Sequence, residues 1–250
     1  MAAAKTERPH TILITGASDG IGLLLARAYA KRGHKVLATG RRQIADDLAV
    51  FKSSNVVYLS ADLGDPAYAT KRVLAAMQDL GWEDLDLAIL NGATAWVGPP
   101  QEENIDQIKK QIDVNFRSHI HLAHELAPLL FDAQGQLVIV GSKSYKKAQS
   151  RFATYSATKA ALDSFCRSLR EEWNGRVDVL IIHPGPTRTQ MHAKAGMKTG
   201  IARLFFMSPK RVARAIQVAV RRRKGRQLRR VITRTYGLRA LFSRSRKGRL

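Results

Sequence analysis

Tyr155 and Lys159 stand four residues apart in the run YSATK. On a helix that spacing puts both side chains on one face, one turn apart. A phenol gives up its proton near pH ~10, and an ammonium beside it favours the phenolate and brings that value down. A shift of about two units takes roughly 2.7 kcal/mol of differential interaction, within reach of one well-placed cation in a cleft. The pair can therefore give or take a proton in carbonyl chemistry. A Tyr and a Lys on one helix face are also an ordinary surface pair, so the elements around them decide.

Those elements alternate. Residues 10–15 (HTILIT) form a short apolar, β-branched run that reads as a buried strand, and TGASDGIG at 15–22 follows it before a helical pattern. A strand, a turn with Gly16, Gly20 and Gly22, and a helix make a cradle for a phosphate: the backbone approaches closely, and the helix start offers unpaired N–H groups. No Lys-Ser/Thr follows, as a P-loop would need. The run KVLAT at 35–39 is the second strand of a βαβ unit. Where an NAD site usually places an acid after this strand, the chain has Gly40, Arg41 and Arg42. A guanidinium fork suits a 2′-phosphate, which favours NADP(H) over NAD(H); two solvated surface arginines are the plainer alternative.

Further strands are expected at 56–60, 86–90, 136–140 and 177–182. Asp62 falls at a strand's C-terminal edge, where open parallel sheets gather ligands; it is either an adenine contact or an N-cap for a helix near Pro66. Residues 105–131 read as one long helix with apolar positions at 105, 108, 112, 116, 120 and 126, so Asn115 sits on or beside its buried stripe. An amide there needs partners, as a structural clasp or as part of a site. Cys166 reads as a packed core thiol and His183 as a strand-end residue rather than a general base. The fold expected is α/β, a single Rossmann-type doubly wound parallel sheet of about seven strands over residues 1–233, with a basic tail at 234–250.

Composition sets the outer bounds. The chain has 250 residues, 45% of them hydrophobic, enough for one large buried core. Its formal charge of +22 is concentrated at one end: 22 Lys and Arg face 20 Asp and Glu up to residue 178, and after it come 20 basic residues and no acid. One cysteine precludes an intrachain disulfide, and a cytoplasmic setting fits. The first ten residues read as no signal peptide, no run approaches a membrane span, and no metal site is expected.

Taken together, these residues resemble the short-chain dehydrogenase/reductase (SDR) family over roughly residues 10–220. Gly16, Gly20 and Gly22 fit its cofactor turn, Asp62 its adenine contact and Asn115 its helix asparagine. Ser142, thirteen residues before Tyr155, fits its serine, and Tyr155 with Lys159 its YxxxK motif. Pro184, Gly185 and Thr189 fit its nicotinamide-side loop, and Ser208-Pro209 the entry to its last large helix. The resemblance implies hydride transfer between nicotinamide and a carbonyl or secondary alcohol. Tyr155 would be the general acid or base, and Ser142 would hold the carbonyl oxygen. Lys159 would hold the ribose and depress the Tyr155 pKa, and Asn115 would position a relay water. The implied cofactor contacts are Gly16, Ser18, Gly20, Ile21, Gly22, Arg41, Arg42, Asp62, Leu63, Asn91, Gly92, Tyr155, Lys159, Pro184, Gly185, Thr187 and Thr189. Two departures stand out. The family's usual Asn-Asn-Ala-Gly after strand four is replaced by Leu90-Asn91-Gly92-Ala93, and Gly141 replaces the more usual serine before Ser142.

Residues 190–207 should be a substrate lid; their apolar side chains, interleaved with Lys194, Lys198 and Arg203, suggest a lipophilic or anionic carbonyl compound. The family often forms homo-oligomers. The tail carries three open readings: contact with an anionic membrane surface, a solvated tail or one folded against a second subunit, and, ranked last, nucleic acid. A non-catalytic dinucleotide-binding scaffold that uses the tail to engage a partner is the alternative function. If Arg41 clamps a 2′-phosphate, Arg41→Ala raises KM for NADPH far more than for NADH. Equal increases in the two steady-state titrations would remove the clamp.

Overall fold

Each of the six short apolar runs forms a strand, because β-branched and aliphatic side chains can be buried on both faces of a parallel sheet. The computed structural model describes residues 9–43, 49–188 and 206–222. The strands are β1 (Thr11–Ile14), β2 (Lys35–Gly40), β3 (Val56–Ser60), β4 (Leu87–Leu90), β5 (Gln136–Val140) and β6 (Asp178–Ile182). All pair in parallel, in the order β3-β2-β1-β4-β5-β6. The expected seventh strand at 231–233, the lid at 190–205, Thr189 and the tail at 234–250 lie outside the described residues.

Alternation along each strand sorts side chains into two layers. On one face Leu13, Leu37, Ala88, Leu90, Leu137 and Ile139 pack with side chains of α2 (Pro66–Asp79), α4 (Ser118–Asp132) and α5 (Ala153–Glu172). On the other, Ile12, Ile14, Val36, Ile89, Val138 and Ile182 pack with α1 (Gly20–Ala30) and α6 (Pro209–Arg221). The predicted entry to α6 is present: Ser208 is its N-cap, accepting from the Arg211 N–H at 3.2 Å. Cys166 is a fully buried core thiol that burial pushes up to about 12. The helix after β3 is capped by Asp65, which accepts from Tyr68 N–H at 3.1 Å, and not by Asp62. Asp62 instead accepts from Gly64 N–H two residues on, at 3.0 Å, and remains exposed.

The long helix expected over 105–131 is present and runs unbroken to Asp132; what needs correcting is its buried face. The chain runs as α3 (Ile105–Ile112), one π turn (Asp113–Arg117) and then α4. A π turn inserts an extra residue into the helical register and rotates the helix beyond it. Ile105 and Ile112, expected on the buried stripe, are exposed at 63% and 38%, while Asn115 is fully buried. Its amide is a clasp. Oδ1 accepts from Thr94 N–H at 2.8 Å, and Nδ2 donates to Thr94 O at 2.9 Å and to Thr158 Oγ1 at 3.2 Å. The segment after β4 is thus pinned to α5, one residue before Lys159. Asn115→Ala leaves both Thr94 backbone groups without these partners, so urea unfolding should show a loss of about 3 kcal/mol.

Candidate active site

The strand order reverses between β1 and β4, and in such sheets the crevice beyond the strand C-termini at that point is where ligands bind. A cavity of about 330 Å³ opens there. One end is lined by Gly16, Ser18, Asp19, Gly20 and Ile21, then Gly40, Arg41, Asp62, Leu63, Asn91 and Gly92. The other end is lined by Ser142, Tyr155, Lys159, Pro184, Gly185 and Thr187. Nearly every residue expected at a cofactor thus falls on one surface. Gly22 packs behind it, where a Cβ would meet Gly16 O at 2.3 Å, and Arg42 lies outside the lining.

The glycine turn is built by its neighbours. Gly16 has φ +63°, and a Cβ there would lie 2.7 Å from Gly92 Cα. Thr15 Oγ1 accepts from both Asn91 N–H (3.0 Å) and Gly92 N–H (3.1 Å), and Asn91 Nδ2 donates to Thr15 O and Gly16 O, each at 3.1 Å. One asparagine therefore braces the turn, and Leu90, in place of a second amide, packs in the core. A crowded glycine cradle, a helix start and a strand-edge acid fit the pyrophosphate and adenosine of a dinucleotide. At the ribose edge Ser18, Gly40 and Arg41 stand together, with Tyr58 donating to Arg42 O at 3.0 Å.

At the far end Tyr155 and Lys159 share the inner face of α5, and both are buried. Burial pushes the Tyr155 phenol above the ordinary 10, and the neighbouring Ser142 hydroxyl pulls the other way; that hydroxyl donates to Ser144 Oγ and accepts from Ser144 N–H, each at 3.2 Å. Lys159 Nζ donates to Val140 O at 3.2 Å and lies 5.8 Å from the Tyr155 ring centroid. Burial brings this ammonium down to about 8. The expected lowering of the phenol by Lys159 is not found: burial raises it, and the group that opposes the rise is Ser142. The Asn115 amide bonds to neither group. It acts on them through Thr158.

Several neighbours carry no sequence motif that announces them. Phe152 sets its ring 6.0 Å from Tyr155, edge to face, and joins Gln149, Lys143 and Phe206 in the cavity wall. Phe206 belongs to the expected lid, whose end is tethered: Arg188 N–H donates to Met207 O at 2.9 Å and Met207 N–H to Pro186 O at 2.8 Å. Buried Glu103 accepts from Thr154 Oγ1 at 2.7 Å and from Gln111 Nε2, while Gln111 Oε1 accepts from Trp96 N–H, tying the loop after β4 to the start of α5. His183, at the end of β6, contacts Ser142 O through Nδ1 (3.1 Å) and Asp163 Oδ1 through Nε2 (3.0 Å). Its ring stacks on Tyr145 at 3.8 Å between centroids. Burial pushes the His183 pKa down, and its bonds to Asp163 and Ser142 pull it up. Among the described residues no cluster of three or more His, Cys, Asp or Glu could hold a metal ion, and no helix is long and apolar enough to cross a membrane.

His119, at the start of α4, is buried behind the site. Burial first, then the Lys159 charge, lower its pKa to about 3, while backbone groups of Leu90 and Val114 oppose the shift.

A family model described as "short chain dehydrogenase" matches residues 10–199. An 11-beta-hydroxysteroid dehydrogenase A from Sesamum indicum is 31% identical over 180 residues, covering 70% of this chain and 51% of that protein. The chain thus spans about half the length of that relative. A serine 3-dehydrogenase from Agrobacterium fabrum is 32% identical over 183 residues, 72% of this chain and 73% of that one. Among solved structures, a short-chain dehydrogenase from Sphingobium yanoikuyae in complex with NADPH superposes with a TM-score of 0.75 at 29% identity, covering 86% and 85% of the two chains.

The neutral His119 ring also sets an acid limit. As pH falls below 6.5 the unfolded chain takes up a proton that the folded ring refuses until about 3, so stability drops with pH across that window. Between pH 6.5 and 5 this amounts to about 2 kcal/mol. Urea midpoints at pH 7.5 and pH 5 should show His119→Leu losing about that much less than wild type. Parallel losses in the two proteins would mean that another group sets the acid limit.

Proposed function

The chain belongs to the short-chain dehydrogenase family, and on that premise we propose that it is an NADP(H)-dependent oxidoreductase that interconverts a carbonyl and a secondary alcohol on a small, apolar-faced substrate. One observation carries the reading: Ser142, Tyr155 and Lys159 line a single cavity, with the lysine buried on the same helix face as the phenol. The NADPH complex of a 29%-identical relative, together with Arg41 at the cavity edge, supports the choice of phosphorylated cofactor.

When bound, NADP(H) supplies or accepts the hydride. The rest falls to the polypeptide. A Tyr155 phenol held above its usual pKa is protonated at neutral pH, the form in which it acts as general acid toward a carbonyl oxygen. Ser142 Oγ shares that oxygen and stabilises the charge gathering on it. Lys159, with a pKa of about 8, is mainly an ammonium at pH 7; it holds ribose hydroxyls and favours the phenolate left after proton donation. Asn115 serves the proton relay by fixing the loop and helix between which the proton leaves. Phe152 and Phe206 give the carbonyl side an apolar lining, and Lys143 and Gln149 add polar groups there.

Carbonyl reduction should therefore hold steady through neutral pH and fall above about 8, as Lys159 loses its charge. Tyr155→Phe should abolish turnover on every ketone or aldehyde that supports NADPH consumption in a substrate panel. Its NADPH affinity by fluorescence titration should stay within several-fold of wild type. Undiminished turnover in that variant would sink the proposal, including its separation from a binding-only scaffold.

A further inference from the structure

Ser142 shares the cavity with Tyr155 and stands at the end of an extended segment just past the β5 ladder, its hydroxyl donating to Ser144 Oγ and accepting from Ser144 N–H, each at 3.2 Å. Two backbone bonds flank it: Gly141 N–H donates to Ile182 O at 2.8 Å, and Lys143 N–H donates to Pro184 O at 3.0 Å. Between them lies the Ser142 carbonyl, and His183 Nδ1 meets it at 3.1 Å. The histidine is only 3% exposed, clamped by Asp163 Oδ1 on Nε2 and by the Tyr145 ring on its face. Asp163 lies on α5, one turn beyond Lys159, and is itself paired with Arg167 Nε at 3.2 Å.

We infer that His183 is a positioning residue: its Nδ1–H holds the Ser142 carbonyl, and so sets where the Ser142 hydroxyl points relative to Tyr155. The inference rests on the proposed roles of Ser142 and Tyr155 and deepens them. Both partners of the ring are acceptors, so a ring that serves both carries hydrogen on both nitrogens. Burial opposes the charge this gives the ring and on balance lowers its pKa, while the Asp163 carboxylate beside Nε2 and the Ser142 carbonyl on Nδ1 pull the other way. The contact also accounts for Gly141. A Cβ at that position would lie 2.5 Å from His183 Nδ1 and 2.8 Å from Cε1, so any larger residue displaces the ring. The glycine before Ser142 and the histidine at the end of β6 are one feature. Through it the serine and the tyrosine helix are held from the protein side as a single body.

Four variants of the full chain test this, assayed on the carbonyl that gives the fastest NADPH consumption in the panel. His183→Leu keeps the bulk and loses the donor; kcat should fall about 10- to 100-fold, with KM and NADPH affinity within about threefold. His183→Asn can still donate from its amide near the Nδ1 position and should recover most of kcat. Gly141→Ala should depress kcat by pushing the ring away, and adding His183→Asn should not restore it, because an amide at the Nδ1 position meets the same methyl. Wild-type kcat in His183→Leu, or equal losses in the Leu and Asn variants, would overturn the inference. One arm needs neither turnover nor a mutant: in 15N spectra of the histidine rings at pH 7, Nδ1 of His183 should be protonated. A bare Nδ1 would overturn the inference even if every variant failed to fold. A wild type inert on the whole panel would count against the proposed function instead, and the ring spectra would still decide this point.

Discussion

A fully buried ammonium is the constraint around which this site is arranged. Lys159 heads the large side chains with under 2% exposure, and its charge has been taken from water into a sheet–helix interface. Such a group keeps its proton only where acceptors compensate, and the acceptor here is the Val140 carbonyl, the last of strand β5. That bond fixes how α5 seats on the sheet. Burial brings the lysine to about 8, leaving the charge within reach of neutral pH. Burial first, and then the same charge, keep His119 neutral, and the ammonium lies 5.8 Å from the Tyr155 ring centroid. Core packing and proton chemistry are thus set by one side chain.

Around it, every group at the crevice is held by something other than the chemistry it serves. Asn115 commits its amide to Thr94 and Thr158, Asn91 commits its own to the glycine turn, and Asp163 reaches Ser142 only through His183. These are polar groups in a low-dielectric wall, where each satisfied bond rigidifies and each lost one leaves a costly orphan. At the strand C-termini these bonds add to apolar packing that reaches Leu90, Val140 and Ile182 and continues through Ala17, Ala61 and Leu63.

The strands are legible in the sequence because each is a run of four to six apolar residues between turn signals, a pattern with few alternative solutions in a chain this long. Bounds agree within one residue: the expected 86–90 is observed as Leu87–Leu90, and 177–182 as Asp178–Ile182. The long helix is legible too, but its buried face is not: the sequence pattern assumes one α-helical period throughout, whereas a π turn stands at Asp113–Arg117 and Ile105 and Ile112 are exposed. The buried amide of Asn115 is the only hint. Asp62 and Asp65 are equally plausible caps by type, and only backbone geometry separates them. His183 reads correctly as a strand-end residue, but its partner Asp163 lies twenty residues away on another element, where no local pattern points.

The two ends of the crevice differ in what encodes them, and this explains the uneven legibility of the site. The glycine-turn end is written mainly in backbone, through a left-handed φ at Gly16, close approach at Gly92 and N–H groups at a helix start. Few residue types satisfy such demands, so they show in sequence. The carbonyl end is written in side chains: Phe152, Gln149 and Lys143 precede the YxxxK helix, and Phe206 arrives from beyond it. Many residue types can fill that wall. The ends are nonetheless joined, because residues 186–188 and Met207 are bonded backbone to backbone across the bridge at Thr187. Whatever orders Pro184, Gly185, Pro186 and Thr187 therefore also orders Met207 and, beside it, the cavity wall to which Phe206 belongs.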